Sequence, residues 1–523
     1  MASGIEVLDC TLRDGGYCND WKFDSDTVKY IVSKLDDAGV EIIEVGYLSE
    51  KKCFDEETTI FNNLGEVNHV VKKLELKAEL AIMINHNDVD IKNLPLAKDS
   101  CVKIIRYAFH KEDCACAIET CAELIRKGYK VFLQPMVTNS YSKAELEILL
   151  SKTNEISPSA IYIVDSFGSL RIEELKAIFD LYKVTLVEKI KIGFHAHNNM
   201  QLSLTNSMKF VEECANRQIV IDVSVMGMGR GAGNLNSEIF LEWMNGHVGL
   251  TKYRLSDVLA IADSVISRLL EKNPWGYSLG NYLSAVHNCH PQYAYYLMRK
   301  RTLLYEDMNA IFGLMQEDKK KSFDESYIEK TYYEYLSKNR MIEDCSKRNL
   351  FADKEVILIG SGKSAMSEKN TIKKLIQDRE PISISLNFVY LEYDVDYVFI
   401  SNIRRYERIG KNEIYKTIIT SNIPTEQYAI KINYDEYICG TSVISDNAMV
   451  ILMNYLVSCG VKKIYLAGID GYSYSSSNYF DDKMSFDTNE RESKVFNAAL
   501  QDYICEIRKK VEVSMITSSL ICL

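Results

Sequence analysis

Ile190-Lys191-Ile192-Gly193-Phe194-His195-Ala196-His197-Asn198-Asn199 is a short β-branched and aromatic run that closes on two histidines one residue apart. Residues i and i+2 of a strand point to the same side, so His195 and His197 face one way at the strand's end. Seven similar runs lie in the first 225 residues: Ile5–Leu8, Glu41–Gly46, Glu79–Ile84, Val102–Tyr107, Lys130–Gln134, Ile161–Asp165 and Ile219–Val225. They recur roughly every 30 residues, the length of a strand–helix unit. Amphipathic segments such as Ser25–Ala38, Cys114–Lys127, Lys143–Glu155 and Leu202–Cys214 lie between them. Alternating strands and helices predict a parallel sheet. Eight units predict a (β/α)8 TIM barrel over residues 1–250. An open doubly wound sheet is the alternative.

Beyond the barrel, residues 251–345 read as a helical extension packed on it, with helical spacing over Val258–Leu270 and Asp324–Asn339. The stretch Trp275–Tyr296 is rich in aromatics and histidine. A second α/β pattern begins near residue 350 and runs to 523. Strand Val356–Ile359 enters Gly360-Ser361-Gly362, helix Ser367–Ile376 follows, and strands Ile382–Leu386 and Tyr397–Ile400 come next. Helix Asp446–Cys459 leads to strand Lys463–Ala467. This predicts a C-terminal doubly wound domain, with the boundary in the polar stretch Glu343–Asn349.

Composition narrows the function classes. The chain has 523 residues, 47% hydrophobic and 26% charged, with a formal net charge of −11. That excludes disorder and argues against a nucleic-acid partner, which needs a basic face. No stretch approaches the ~20 apolar residues of a membrane span. The start Met1-Ala2-Ser3-Gly4 lacks a signal peptide's basic and apolar regions. The 14 cysteines form no Cys-x-x-Cys pair. Free thiols in a reducing cytoplasm are expected.

The active face of a barrel is built at the C-terminal ends of its strands. The first strand runs into Asp9-Cys10-Thr11-Leu12-Arg13-Asp14-Gly15-Gly16-Tyr17. Asp14 can therefore join His195 and His197 on one metal. Two imidazoles, a carboxylate and open water positions suit Mn2+ or Mg2+. An incidental His-x-His is the bland alternative, and Asp14 at a second strand end weakens it.

Five motifs then carry a resemblance: Thr11-Leu12-Arg13-Asp14-Gly15, Glu44-Val45-Gly46, Val164-Asp165-Ser166, His195-Ala196-His197-Asn198-Asn199 and Gly227-Met228-Gly229-Arg230-Gly231-Ala232-Gly233-Asn234. In this order, over residues 4–245, the chain resembles the metal-dependent pyruvate-aldolase and HMG-CoA-lyase-like superfamily, nearest its 4-hydroxy-2-oxovalerate aldolase branch. The resemblance implies that Asp14, His195 and His197 are metal ligands and that Arg13 stabilises an enolate. It implies Asn234 as a further ligand in the lyase and synthase branches, less dependably in the aldolase branch. A structural salt bridge between Arg13 and Glu44 is compatible with that role. Where the aldolase branch has a catalytic histidine, this chain has Tyr17, whose ordinary pKa near 10 makes a poor base. Tyr282, in Gly276-Tyr277-Ser278-Leu279-Gly280-Asn281-Tyr282, resembles the tyrosine that segment returns to the active site. His287 and His290 lie nearby in sequence. Arg106, Gln134 and Asp165, at strand ends, and Glu44 are candidate substrate-binding residues, each also open to a structural role. Asp165 could stand behind the metal ligands, and His86 reads as a solvated loop residue.

In the C-terminal half, Gly360-Ser361-Gly362-Lys363-Ser364-Ala365 lies between a strand and a helix. A Walker A loop is excluded because Ile357 occupies the first glycine position. The Gly-x-Gly-x-x-Ala pattern fits a dinucleotide turn, yet Asn387 replaces the acid that holds a ribose. Backbone N–H groups at a helix N-terminus remain for a phosphate, or the turn binds nothing. This half weakly resembles bacterial sialyltransferase-like or 6-hydroxymethylpterin-pyrophosphokinase-like domains. That resemblance implies a nucleotide or nucleotide-sugar near Gly360, Ser361, Gly362 and Asn387.

The resulting expectation is a divalent-metal-dependent aldolase acting on a 2-oxo acid and an aldehyde. A bacterial surface-glycan or sugar pathway would unite the two halves, and a homodimer is the superfamily's expectation. The alternatives are a Claisen-type acyl-CoA lyase or synthase on the same barrel, and a nucleotide- or partner-binding protein whose barrel is a scaffold.

Overall fold

The computed structural model describes residues 4–51, 55, 57–72, 74–214, 217–248, 252–300, 302–338, 340–389, 392–439, 443–473, 478–480 and 490–521. Every candidate site residue lies among them. The described residues form two compact units, Met1–Tyr295 with Gln316–Phe323, and Tyr296–Met315 with Asp324–Leu523. The polar helical stretch after residue 250 is thus divided between the two.

The first unit is a closed parallel barrel. Its strands are β1 (Ile5–Asp9), β2 (Ile42–Leu48), β3 (Glu79–Asn85), β4 (Val102–Phe109), β5 (Lys130–Pro135), β6 (Ala160–Asp165), β7 (Lys191–Ala196) and β8 (Ile219–Val223). Each pairs with its successor, and β8 and β2 both flank β1, closing the ring. A two-residue stretch, Ile60–Phe61, adds outside β2. The helices start and stop where side chains satisfy their free ends. Asp24 accepts the Thr27 N–H ahead of helix Ser25–Ala38, which ends on Gly39 at φ 88°. Ser142 and Glu145 form a capping box before helix Lys143–Ile156.

Strand parity sorts the barrel interior into layers. Leu8, Ile42, Ala81, Ile104, Phe132, Tyr162 and Val220 form an apolar layer inside the ring. Gly193 leaves room there, since a Cβ on it would run into the Tyr162 ring. Two residues further along five strands come Glu44, Gln134, Arg106, His195 and Asp222, all buried. Polar groups therefore crowd the end of the barrel where the strands finish.

The second unit holds a seven-stranded parallel sheet. Its strands are β9 (Glu355–Ile359), β10 (Ile382–Leu386), β11 (Tyr397–Ile400), β12 (Thr417–Thr420), β13 (Ile430–Ile432), β14 (Lys463–Ala467) and β15 (Glu512–Met515). They lie in the order β13-β12-β11-β10-β9-β14-β15, so the winding reverses once, between β9 and β14. The apolar helix Ala448–Ser458 is buried among them, and no described helix is long and apolar enough to cross a membrane.

Candidate metal centre and active site

Asp14 sits in a tight turn after β1. Its N–H donates to Cys10 O (2.8 Å), and Thr11 Oγ1 accepts from Val225 N (2.8 Å), pinning the turn to the end of β8. His195 and His197 leave β7 with ring centroids 5.1 Å apart. Asp14, His195 and His197 are all buried and each offers a ligand atom, the three atoms lying within 4.8 Å of one another. Asn234 Nδ2 donates to Asp14 Oδ2 at 2.8 Å. The glycine-rich loop makes this approach possible: a Cβ on Gly229 would lie 2.8 Å from Asp14 Oδ2 and overlap the Asn234 amide.

Whether a cation fits can be asked of the unpaired atoms. His197 Nδ1 and Asn234 Oδ1 are buried without a hydrogen-bond partner among the described residues. A buried polar atom left unpaired costs about 1–3 kcal/mol. His195 Nδ1 is 2.8 Å from Asp222 Oδ2, which leaves its Nε2 for a ligand. Burial pushes the His197 pKa down to about 3, so its ring is neutral at pH 7 and able to donate a lone pair. Burial would raise the Asp14 carboxyl, but the Arg13 guanidinium beside it holds it well below the usual carboxylate range. A carboxylate beside two imidazoles and an amide oxygen is a mixed O/N donor set that fits a divalent cation.

Behind the ligands runs a chain of buried charges. Arg13 Nη1 pairs with Asp14 and Arg13 Nε donates to Glu44 Oε2 (2.8 Å). Arg106 Nη1 donates to the same Glu44 oxygen (2.6 Å), and Arg106 Nη2 pairs with Asp222. Gln134, with its amide turned, accepts from Arg106 Nε at 3.2 Å. Arg106 is fully buried with its guanidinium 4.9 Å from the Tyr162 ring centroid, so it braces the site from below. Glu44 and Gln134 lie in the same buried layer.

At the mouth, Tyr17 Oη lies 3.3 Å from Tyr47 Oη, and the Arg230 guanidinium is 5.5 Å from the Tyr17 ring centroid. Arg230 Nη2 donates to Ser166 O (2.9 Å), while its Nε is buried and unpaired among the described residues. Burial, then Arg230, pushes the His290 pKa down to about 3. Tyr295 reaches the Gly231 N–H and the Asn281 side chain. Tyr282 stands on the exposed flank of helix Leu279–Val286, with no side-chain hydrogen bond to the cluster among the described residues. Asp165 turns its oxygens to Ser169 N (2.8 Å) and Leu170 N (3.2 Å) in the loop after β6. His86 is half-buried, its Nδ1 2.9 Å from Tyr107 Oη.

In the second unit, the glycine turn already holds a carboxylate. Asp470 Oδ2 accepts from Ser364 N (2.9 Å) and Asp470 Oδ1 from Ser364 Oγ. A Cβ on Gly362 would overlap that carboxylate. Asn387 lies at the end of β10 with φ 65° and its Oδ1 buried and unpaired.

Asp222, Arg230 and Tyr295 were not anticipated as site residues. The signal for Asp222 was present: a lone acid inside Ile219-Val220-Ile221-Asp222-Val223 must be buried and must therefore be paired. Arg230 sat inside a glycine-rich motif, where its charge carried no spacing signal. Tyr295 is joined to Gly231 only by tertiary folding.

This chain is similar to a 4-hydroxy-2-oxovalerate aldolase of Leptothrix cholodnii, 30% identical over 269 residues, covering 49% of this chain and 74% of that one. It is 26% identical over 271 residues to a 4-hydroxy-2-oxovalerate aldolase of Bacillus thuringiensis, covering 51% and 77%. Among solved structures, the N-terminal domain of a candidate aldolase from Bacteroides vulgatus is 28% identical, with a TM-score of 0.49, covering 56% of this chain and 96% of that one. Residues 4–265, which carry the barrel and the whole Asp14–His195–His197 cluster, match the HMGL-like family model, and the chain belongs to that family.

Proposed function

We propose that the barrel is a divalent-metal-dependent aldolase that makes or breaks the bond between an aldehyde carbon and the carbon next to the keto group of a 2-oxo acid, pyruvate being the simplest. The observation that carries this reading is the buried Asp14–His195–His197 cluster with Arg13 beside it. Asp14, His195, His197 and Asn234 would hold the cation, Mn2+ or Mg2+, which when bound supplies Lewis acidity toward the substrate carbonyl.

The protein's own residues do the rest. Asp222 fixes the His195 ring through Nδ1. Arg13 spends Nε on Glu44 and Nη1 on Asp14, and its Nη2 has no bond among the described residues. That N–H faces the negative charge that develops on the keto oxygen. Arg230 offers its unpaired Nε to the substrate carboxylate or to a second anionic group. Tyr17, hydrogen-bonded to Tyr47, is placed to carry the proton of the aldehyde oxygen; Tyr282 has no side-chain hydrogen bond to the cluster among the described residues.

The test is exchange of pyruvate methyl protons with D2O, with and without Mn2+ or Mg2+, beside Asp14→Asn. Exchange that needs metal and disappears in the variant supports the reading. No exchange from protein shown to hold its metal refutes it for pyruvate.

We further propose that the second unit binds a nucleotide or nucleotide-sugar, in a bacterial surface-glycan or sugar pathway. What supports this is the open parallel sheet whose winding reverses beside the strand that enters the glycine turn. The free thiols support a cytoplasmic setting, and a homodimer rests on the superfamily resemblance.

A further inference from the structure

In an open parallel sheet, ligands bind beyond the strand C-termini where the winding reverses. In the second unit that point lies between β9 and β14. The ends of β9, β10, β11 and β14 open there onto one cavity of about 550 Å³, within the size range of small-molecule sites.

The charges of this cavity do not lie where the glycine turn alone would place them. The Ser364 N–H that would cradle an anion is already bonded to the chain's own carboxylate, Asp470. A second anion there would meet like charge at close range. The positive charge stands across the cavity. Arg404, Arg405 and Arg408 follow β11 and line it, and the exposed Arg404 and Arg408 side chains make no ion pair among the described residues. The N-terminal end of helix Ala448–Ser458 opens on the same space, adding the positive end of its dipole. A different part of the lining is aromatic: Tyr472 and Phe496 have ring centroids 5.4 Å apart. Acceptors also line the cavity, among them the Asp470 carboxylate, the Asp446 carboxylate beside the helix start, and Asn387, whose buried Oδ1 has no partner among the described residues.

We infer that the second unit binds a nucleotide whose phosphate rests on Arg404 and Arg408, not on the glycine turn, with its ring against Tyr472 and Phe496 and its hydroxyl or amino donors toward Asp470 and Asn387. This rests on the reading of the second unit as a nucleotide-binding domain and places each part of the ligand within it. The turn is then a self-filled structural element that presents an acceptor.

Isothermal titration of the full, metal-loaded chain with CMP, UDP and ADP, each beside its nucleoside, tests this. At least one nucleotide should bind about tenfold or more tightly than its nucleoside. Its affinity should fall as salt rises, because the arginines are exposed. R404A/R408A should weaken it at least about tenfold, with the ligand-free unfolding midpoint unchanged. Undiminished binding by R404A/R408A, or affinity independent of salt, overturns the arginine placement and leaves the nucleotide reading standing. Equal binding of nucleoside and nucleotide does the same. No binding of any nucleotide by cooperatively folded protein overturns both.

Discussion

At the scale of single residues, three arginines near the metal cluster divide by what their nitrogens have left to give. Arg106 is spent on Glu44 and Asp222, Arg13 is partly spent, and Arg230 keeps a buried Nε unpaired. Arg230→Ala should therefore raise KM for the 2-oxo acid about 10- to 100-fold, the value of a lost charged hydrogen bond. Arg230→Lys should recover only part of that. Steady-state kinetics decides: an unchanged KM in the alanine variant removes Arg230 from substrate binding. Asp222 stands outside the Asp14–His195–His197 group, yet it orients His195 and anchors Arg106. Asp222→Asn should cost about 10- to 100-fold in metal affinity, read by titration of Mn2+ into the apo protein. Unaltered affinity would show that the His195 ring needs no such anchor. The candidate ligands were legible in the sequence because they sit at or just beyond strand ends, the two histidines two apart. The sequence suggested the Arg13–Glu44 pair but hid that Arg106 shares Glu44 and reaches Asp222, since those pairs join residues 62 and 116 positions apart.

At the scale of elements, strands and helices were readable to within a few residues, because the parallel strands are continuous buried apolar runs and the helices between them are amphipathic. Helix Ser25–Ala38 and strand Ile382–Leu386 match the expected limits. The expected helix Val258–Leu270 instead runs as Leu255–Ile261, a π-helical turn Ala262–Ile266 and Ser267–Lys272. Strands β12, β13 and β15 are only three to four residues long and gave too little pattern to read. The loop after β6 yields a pH prediction. Burial pushes the Asp165 pKa up to about 7, although the backbone N–H groups of Ser169, Leu170 and Gly168 oppose the shift. The folded state then holds a proton that the unfolded chain releases near pH 4. Its contribution to stability is present below that pH and is lost as pH rises toward 7. Asp165→Asn should flatten the slope between pH 4 and 7 by up to about 1.4 kcal/mol per pH unit. Urea unfolding at several pH values checks this, and an identical slope in both proteins rejects it.

At the scale of the whole molecule, each unit has its own apolar core, one spread through Val7–Ile266 and the other through Ile357–Ala467. The candidate cation site belongs wholly to the first. Saturating Mn2+, at 100 times its Kd, should stabilise that unit by about 2.7 kcal/mol and leave the other transition where it is. Differential scanning calorimetry should show one of two transitions moving. A shift of both together would mean that the units unfold as one.

The path Asp222–Arg106–Glu44–Arg13–Asp14 crosses the hollow of the barrel from β8 to β4, to β2 and to the turn after β1. Mechanically it is a strut: it braces the ring against being squeezed out of round and carries that stiffness to the cation's seat. The loops after β5 and β6 hold no member of that strut. An engineer seeking a new aldehyde would therefore vary those loops first and leave the frame untouched.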